Sequence, residues 1–145
     1  LCEIPGIQPL VIHPQVTRHA RHLYIFRYDA EAFDHLPREK FLEALQAEGI
    51  PAYKGYTPLY REPLFGLDPR EYPWLEGCNY HDLRLPVCEH ACEEEAVWLA
   101  QSVLLGSAAD MEDIVRAVAK IHQNLGELVE PSHGRALSET AVSTE

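Results

Sequence analysis

Positive charge is scarce in this chain. Lysine and arginine together number 12 against 23 aspartates and glutamates, for a formal net charge of −11. Such a surface repels nucleic acid and anionic membranes, so neither is expected as a partner. No apolar run approaches the roughly 20 residues that a membrane-spanning helix needs. The first residues lack the basic, apolar and small-residue order of a signal peptide, so a cytoplasmic location is expected. The phosphate-cradling patterns G-x-G-x-x-G and G-x-x-x-x-G-K-[ST] are missing, and the eight glycines are too dispersed to replace them. The G-x-S-x-G nucleophile elbow is missing too. An initiator methionine is also lacking, and Leu1-Cys2-Glu3-Ile4-Pro5-Gly6-Ile7 reads as the middle of a phrase. The expectation is a segment of a longer protein.

The four cysteines, Cys2, Cys78, Cys88 and Cys92, do not read as a disulfide framework, because a chain of 145 residues can bury a core without staples. Cys88, His90 and Cys92 stand close together, with Cys78 and His81 nearby. Yet C-x-H-x-C is no standard zinc spacing and no second pair completes four ligands, so no metal is expected. The eight histidines are scattered. Only three lysines exist, Lys40, Lys54 and Lys120.

What the chain does have is a turn that organises the rest, Glu48-Gly49-Ile50-Pro51-Ala52-Tyr53-Lys54-Gly55-Tyr56-Thr57-Pro58-Leu59-Tyr60. Residues 1–15, rich in proline, read as an extended connector. His22-Leu23-Tyr24-Ile25-Phe26-Arg27-Tyr28 is dense in β-branched and aromatic groups on both faces, as a covered central strand is. Pro37 to Glu39 opens a helix whose Phe41, Leu42 and Leu45 keep amphipathic spacing, and Gly49 ends it. A second strand is expected over Ile50–Lys54, with a loop from Gly55.

From Arg61 to Leu85 no period survives, which predicts a long ordered loop with one short helical turn. Glu89 to Ala96 predicts a short acidic helix, whose Glu93-Glu94-Glu95 run suits a solvated face. Val97 to Leu105 predicts a strand. Asp110 suits an N-cap, and Met111, Ile114, Val115, Val118 and Ile121 line a closing helix to about Asn124. Residues 126–145, poor in large apolar groups, are expected to be a disordered tail.

The order strand, helix, strand, long loop, short helix, strand, helix predicts a small two-layer α+β domain. Three or four mainly antiparallel strands would be backed by helices. The second sheet face would be partly apolar and in need of a partner. Lys40 and Lys120 fall on solvated helix faces, whereas Lys54 ends a strand beside Tyr53 and Tyr56, where a cleft could form.

In that order, His22 to Tyr28, Arg38-Glu39-Lys40-Phe41, Leu45-x-x-Glu48-Gly49-Ile50-Pro51 and Gly55-Tyr56-x-Pro58-Leu59-Tyr60-x-x-Pro63-x-Phe65 resemble the DegT/DnrJ/StrS family of aminotransferases. The resemblance continues through Val97-Trp98-Leu99-x-Gln101-x-x-Leu104-Leu105-Gly106 and Asp110-Met111-x-Asp113-Ile114, so it runs from about Leu1 to Asn124. The Trp98 to Gly106 stretch is most similar to the branch acting on cyclitols.

The resemblance implies the small C-terminal domain of a pyridoxal-phosphate enzyme of the aspartate-aminotransferase fold, spanning residues 16–125. Such an enzyme moves an amino group from glutamate or glutamine to a keto-sugar or keto-cyclitol, as a homodimer. The large domain would hold the cofactor lysine and most phosphate contacts. None of the three lysines here matches the family's Schiff-base motif, so this chain alone is expected to bind no pyridoxal phosphate and to be catalytically silent. The resemblance also implies that Lys54, Tyr56, Tyr60 and Arg61 line one wall of the active-site cleft and bind substrate, with Arg61 the best charge partner. Tyr60 departs from the family, which commonly has histidine there. Two other classes fit the residues: a non-catalytic regulator or sensor of the same fold, and an acidic protein-interaction module.

Overall fold

The computed structural model describes residues 1–68, 70–75, 77 and 80–129. Its centre is a four-stranded antiparallel sheet built from β1 (Ile7–Pro9), β2 (Leu23–Tyr28), β3 (Ala52–Lys54) and β4 (Ala96–Ala100) in the order β1-β2-β4-β3. β2 is central, as its two apolar faces require. Tyr24, Phe26 and Tyr28 lie opposite Leu99, Val97 and Ile7 along the ladders. This face carries the helices α1 (Arg38–Ala47) and α3 (Ala108–Gln123).

The core is aromatic where β2 meets α1. Tyr28 stacks on Phe41 with ring centroids 4.6 Å apart, and Phe33 closes on both rings at 4.8 and 5.3 Å. The Tyr28 hydroxyl donates to the Leu36 carbonyl at 2.7 Å, so the buried phenol is not left unpaired. His122 of α3 packs edge-on against Phe33, and its Nε2–H donates to the Ala32 carbonyl at 3.1 Å in the tautomer this contact requires. The turn Ala30–Phe33 is thereby fastened to the last turn of α3.

Gly49 ends α1 as its position predicts. It adopts φ +84°, and the amides of Gly49 and Ile50 return to the carbonyls of Gln46 and Leu45. This is the pattern in which a left-handed residue satisfies the last helical carbonyls.

Several boundaries differ from the sequence expectation. Residues 1–15 are not merely a connector, because Ile7–Pro9 pairs with β2 and Ile7 is only 2% exposed. Its prolines do not prevent this, since an edge strand can spare donors on its outer side. The second strand starts at Ala52, not Ile50. The last strand stops at Ala100, and Gln101–Leu105 coils into a 3-10 turn. Leu23 is the last residue of β2 to pair, opposite Ala100, so no neighbour remains to extend the ladder.

The acidic helix begins earlier, as α2 (Pro86–His90) with Pro86 in its first turn, and continues as a π-helical turn over Ala91–Glu95. The 61–85 segment holds several short 3-10 turns, among them Pro63–Phe65, Pro73–Leu75 and Tyr80–Asp82. A further helix, α4 (Leu125–Val129), follows α3 and buries Leu125, so residues 126–129 are not part of a loose tail. Residues 130–145 lie outside the described part.

The N-cap of α3 is Ser107, not Asp110. Ser107 Oγ accepts from the Asp110 amide at 3.3 Å, and Asp110 Oδ2 accepts from the Ser107 amide at 2.6 Å. Both ends of this capping box satisfy an amide that the helix itself leaves free. Ser107→Ala is expected to cost about 1 kcal/mol. An unchanged denaturant midpoint would show that the box contributes nothing.

Candidate functional site

Leaving β3, the chain passes Gly55 and turns at Pro58 into a 3-10 turn, Leu59–Arg61. Gly55 is needed for packing rather than for φ. Its amide donates to the Ala96 carbonyl at 3.2 Å, and a Cβ there would sit 2.7 Å from the Ala96 Cβ. The close approach presses the loop against the π-helical turn that leads into β4.

Beside it lies a cavity of about 310 Å³ lined by Arg38, Glu39, Lys54, Gly55, Tyr56, Thr57, Pro58, Cys92 and Glu93. Arg38, at the start of α1, is 5% exposed and spans from helix to turn. Its Nη1 donates to the carbonyls of Cys92 at 2.8 Å and Ala96 at 3.3 Å, and its Nη2 to Glu39 at 3.0 Å. Its Nε has no acceptor among the described residues.

The four residues expected to bind substrate divide into two pairs. Lys54 and Tyr56 share the cavity. Tyr56 is 68% exposed and stands edge-on to Trp98 with centroids 4.1 Å apart, on the sheet face away from the helices. Tyr60 and Arg61 instead turn to α2. The Tyr60 hydroxyl donates to Glu89, and Arg61 pairs with Glu89 at 3.1 Å and with Glu93.

Burial first, and then this hydrogen bond, push the Tyr60 phenol above its ordinary value. The same bond from Tyr60, the Leu85 amide and the Arg61 charge hold Glu89 below the usual carboxylate range. Arg61, expected to be the best charge partner for a substrate, therefore spends its charge on its own protein. The sequence carries a partial signal of this: an arginine in the loop and acidic positions 89, 93, 94 and 95 a short helix away.

The clip has a predictable pH response. Because Glu89 titrates lower in the folded chain, its contribution is present above the ordinary carboxylate value and is lost as pH falls through the folded one. Below about pH 4 the Tyr60 resonances should broaden or shift as the loop leaves α2. Tyrosine spectra unchanged down to global unfolding would show that Glu89 does not hold the loop.

A second ionic cluster was missed at the sequence level. Arg27 of β2 donates through Nε to Glu95 at 2.9 Å, and His90 lies between Glu94 and Glu95 at 3.2 and 3.3 Å. The Glu93-Glu94-Glu95 run is thus not simply a solvated face: Glu93 and Glu95 each bind an arginine from elsewhere in the chain. Cys88 and Cys92 lie one turn apart, and burial together with the neighbouring Cys88 raises the Cys92 thiol. Cys78 lies outside the described residues, and among the described ones no cluster of three or more metal-ligating side chains forms.

Comparisons with known proteins give this antiparallel sheet, with helices on one face and a loop shaped by proline at its edge, a family. Residues 1–119 match the DegT/DnrJ/EryC1/StrS aminotransferase family, and the chain belongs to that family.

A Micromonospora echinospora protein with the provisional name L-glutamine:3-amino-2,3-dideoxy-scyllo-inosose aminotransferase is 39% identical over 88% of this chain. The L-glutamine:2-deoxy-scyllo-inosose aminotransferase of Streptoalloteichus tenebrarius is 32% identical over 85%. The chain covers 32% and 30% of these two proteins, so it spans about a third of the curated relatives it matches. Among solved structures, 3-amino-5-hydroxybenzoic acid synthase aligns with TM-score 0.57 over 81% of this chain and 29% of its own, at 20% identity, which shows the shared fold.

Proposed function

We propose that this chain is the C-terminal small domain, residues 16–125 with β1 added, of an aminotransferase that moves the amino group of glutamine or glutamate onto a keto-cyclitol. The observation that carries this reading is the family match over 1–119 together with relatives named for glutamine and inososes, of which the chain covers only about a third. In the complete enzyme the 54–61 loop forms one wall of the cleft, and the rest of the protein supplies the large domain and the homodimer partner.

The family implies pyridoxal phosphate, which when bound accepts and returns the amino group. The residues of this chain do not by themselves fit it. Lys40 pairs with Glu43 and Lys120 with Glu48 on exposed surfaces. Lys54 is left as the cavity's one lysine, and the other lining cation, Arg38, already gives its terminal nitrogens to the Cys92 and Ala96 carbonyls and to Glu39. The cofactor lysine and phosphate contacts accordingly belong to the part of the protein outside this chain. Within the cleft, this chain's task is to bind and orient substrate, with Tyr56 and Thr57 hydroxyls suited to a polyol.

The test is a turnover assay on the complete protein with L-glutamine and 2-deoxy-scyllo-inosose or its 3-amino derivative. Formation of the aminocyclitol, abolished by removing the 1–129 segment, is the expected result. Cofactor loading without transfer from any amino acid to any keto-cyclitol would favour the non-catalytic regulator and overturn the reading.

A further inference from the structure

We propose that Lys54, with the Thr57 hydroxyl and the edge of Arg38, forms a carboxylate-binding subsite, and that in the proposed reaction it holds the carboxylate of the amino donor and not the keto acceptor. The donor assignment rests on the aminotransferase reading; the carboxylate subsite does not.

Charge pairing around the cavity carries the inference. Four charged side chains line it besides Lys54 or stand against its lining: Arg38, Glu39, Glu93 and Arg61. Arg38 and Glu39 neutralise each other at 3.0 Å. Glu93 pairs with Arg61, which it shares with Glu89. Lys54 is then the lining cation without a carboxylate in ion-pairing range among the described residues, whereas Lys40 and Lys120 both have one. Lys54 makes no ion pair of its own, although its charge, like that of Arg38, reaches Glu39, and it sits beside a buried guanidinium whose Nε lacks an acceptor among the described residues. A single cation flanked by a hydroxyl donor suits a monoanionic carboxylate.

The chemistry of the proposed reaction makes the discrimination specific. Donor and acceptor take turns in one cleft, but a keto-cyclitol carries no negative charge, being a neutral polyol or, as the 3-amino derivative, a cation, while glutamine carries a carboxylate. A lone cation can therefore strengthen only the donor's binding. Arg61, the more obvious candidate, cannot serve without giving up Glu89 and Glu93.

The direct test is titration of the isotopically labelled 145-residue chain with L-glutamine, with acetate as the bare carboxylate and with scyllo-inosose as the uncharged polyol. Glutamine and acetate should shift the amides of Gly55 and Thr57, and Lys54→Met should weaken both by about tenfold or more, with Lys54→Arg restoring them. No response at these amides, a response surviving in Lys54→Met, or a response to scyllo-inosose alone would overturn the subsite.

In the complete protein, Lys54→Met should raise KM for glutamine with KM for the keto-cyclitol unmoved. An equal rise in both would overturn the donor assignment while leaving the carboxylate subsite standing. Absence of transamination by the parental protein would sink the functional reading and not the binding result.

Discussion

Phe41→Ala should lower stability by about 3–5 kcal/mol, the usual cost of deleting a fully buried aromatic ring. Phe41 is fully buried and touches both other rings of the cluster, Tyr28 at 4.6 Å and Phe33 at 5.3 Å. The neighbours cannot collapse into the vacancy easily. Tyr28 is pinned by its hydrogen bond to Leu36, and Phe33 is held in the turn that His122 fastens to α3. A cavity that cannot close retains its full cost. Denaturant unfolding followed by circular dichroism would measure it, and the thermal midpoint should drop by on the order of 10 °C or more. A loss below about 1 kcal/mol would mean that this face of α1 does not seat on β2.

Arg38→Ala should cost about 3 kcal/mol, for a different reason. Two charge-assisted hydrogen bonds, each worth about 1.5–3 kcal/mol, join the start of α1 to the carbonyls of Cys92 and Ala96. Removing the guanidinium takes this donor from the half-buried Cys92 carbonyl, leaves the Ala96 carbonyl with the Gly55 amide alone, and frees Glu39. Arg38→Met fills the volume but does not restore the donor to the Cys92 and Ala96 carbonyls, so it should recover only part of the loss.

The effect should reach the loop, since the turn that Arg38 holds is the one against which Gly55 packs. Faster amide exchange at Gly55 in Arg38→Met than in the parental chain would register it. Equal exchange, with stability within about half a kcal/mol of the parent, would show that Arg38 is incidental to the site.

Much of this protein was legible in the residues. The β2 strand shows its apolar groups at consecutive positions, and it does lie inside the sheet between β1 and β4, although helices cover only one of its faces. α1 and α3 announce themselves by three-and-four spacing, and Gly49 marks a helix end because few other residues accept φ +84°. These are local matters: propensity, period and backbone conformation act over a few residues and leave their trace there. The family order of motifs is similarly carried along the chain.

What only the tertiary structure decided was pairing. Ile7–Pro9 reads as a connector until β2 offers it a ladder, and Gln101–Leu105 reads as strand until the neighbours run out. Ser107 and Asp110 both suit an N-cap, and their mutual hydrogen bonds chose between them. At the site the decision was electrostatic. Arg61 has the stronger charge chemistry for binding a substrate, and Lys54 in isolation reads as a solvated strand end. Folding brings Glu89 and Glu93, distant in sequence by 28 or more positions, against Arg61 and forms no ion pair with Lys54 among the described residues. A charge's availability depends on which opposite charge the fold sets within a few ångströms of it, and no local pattern of residues states that distance.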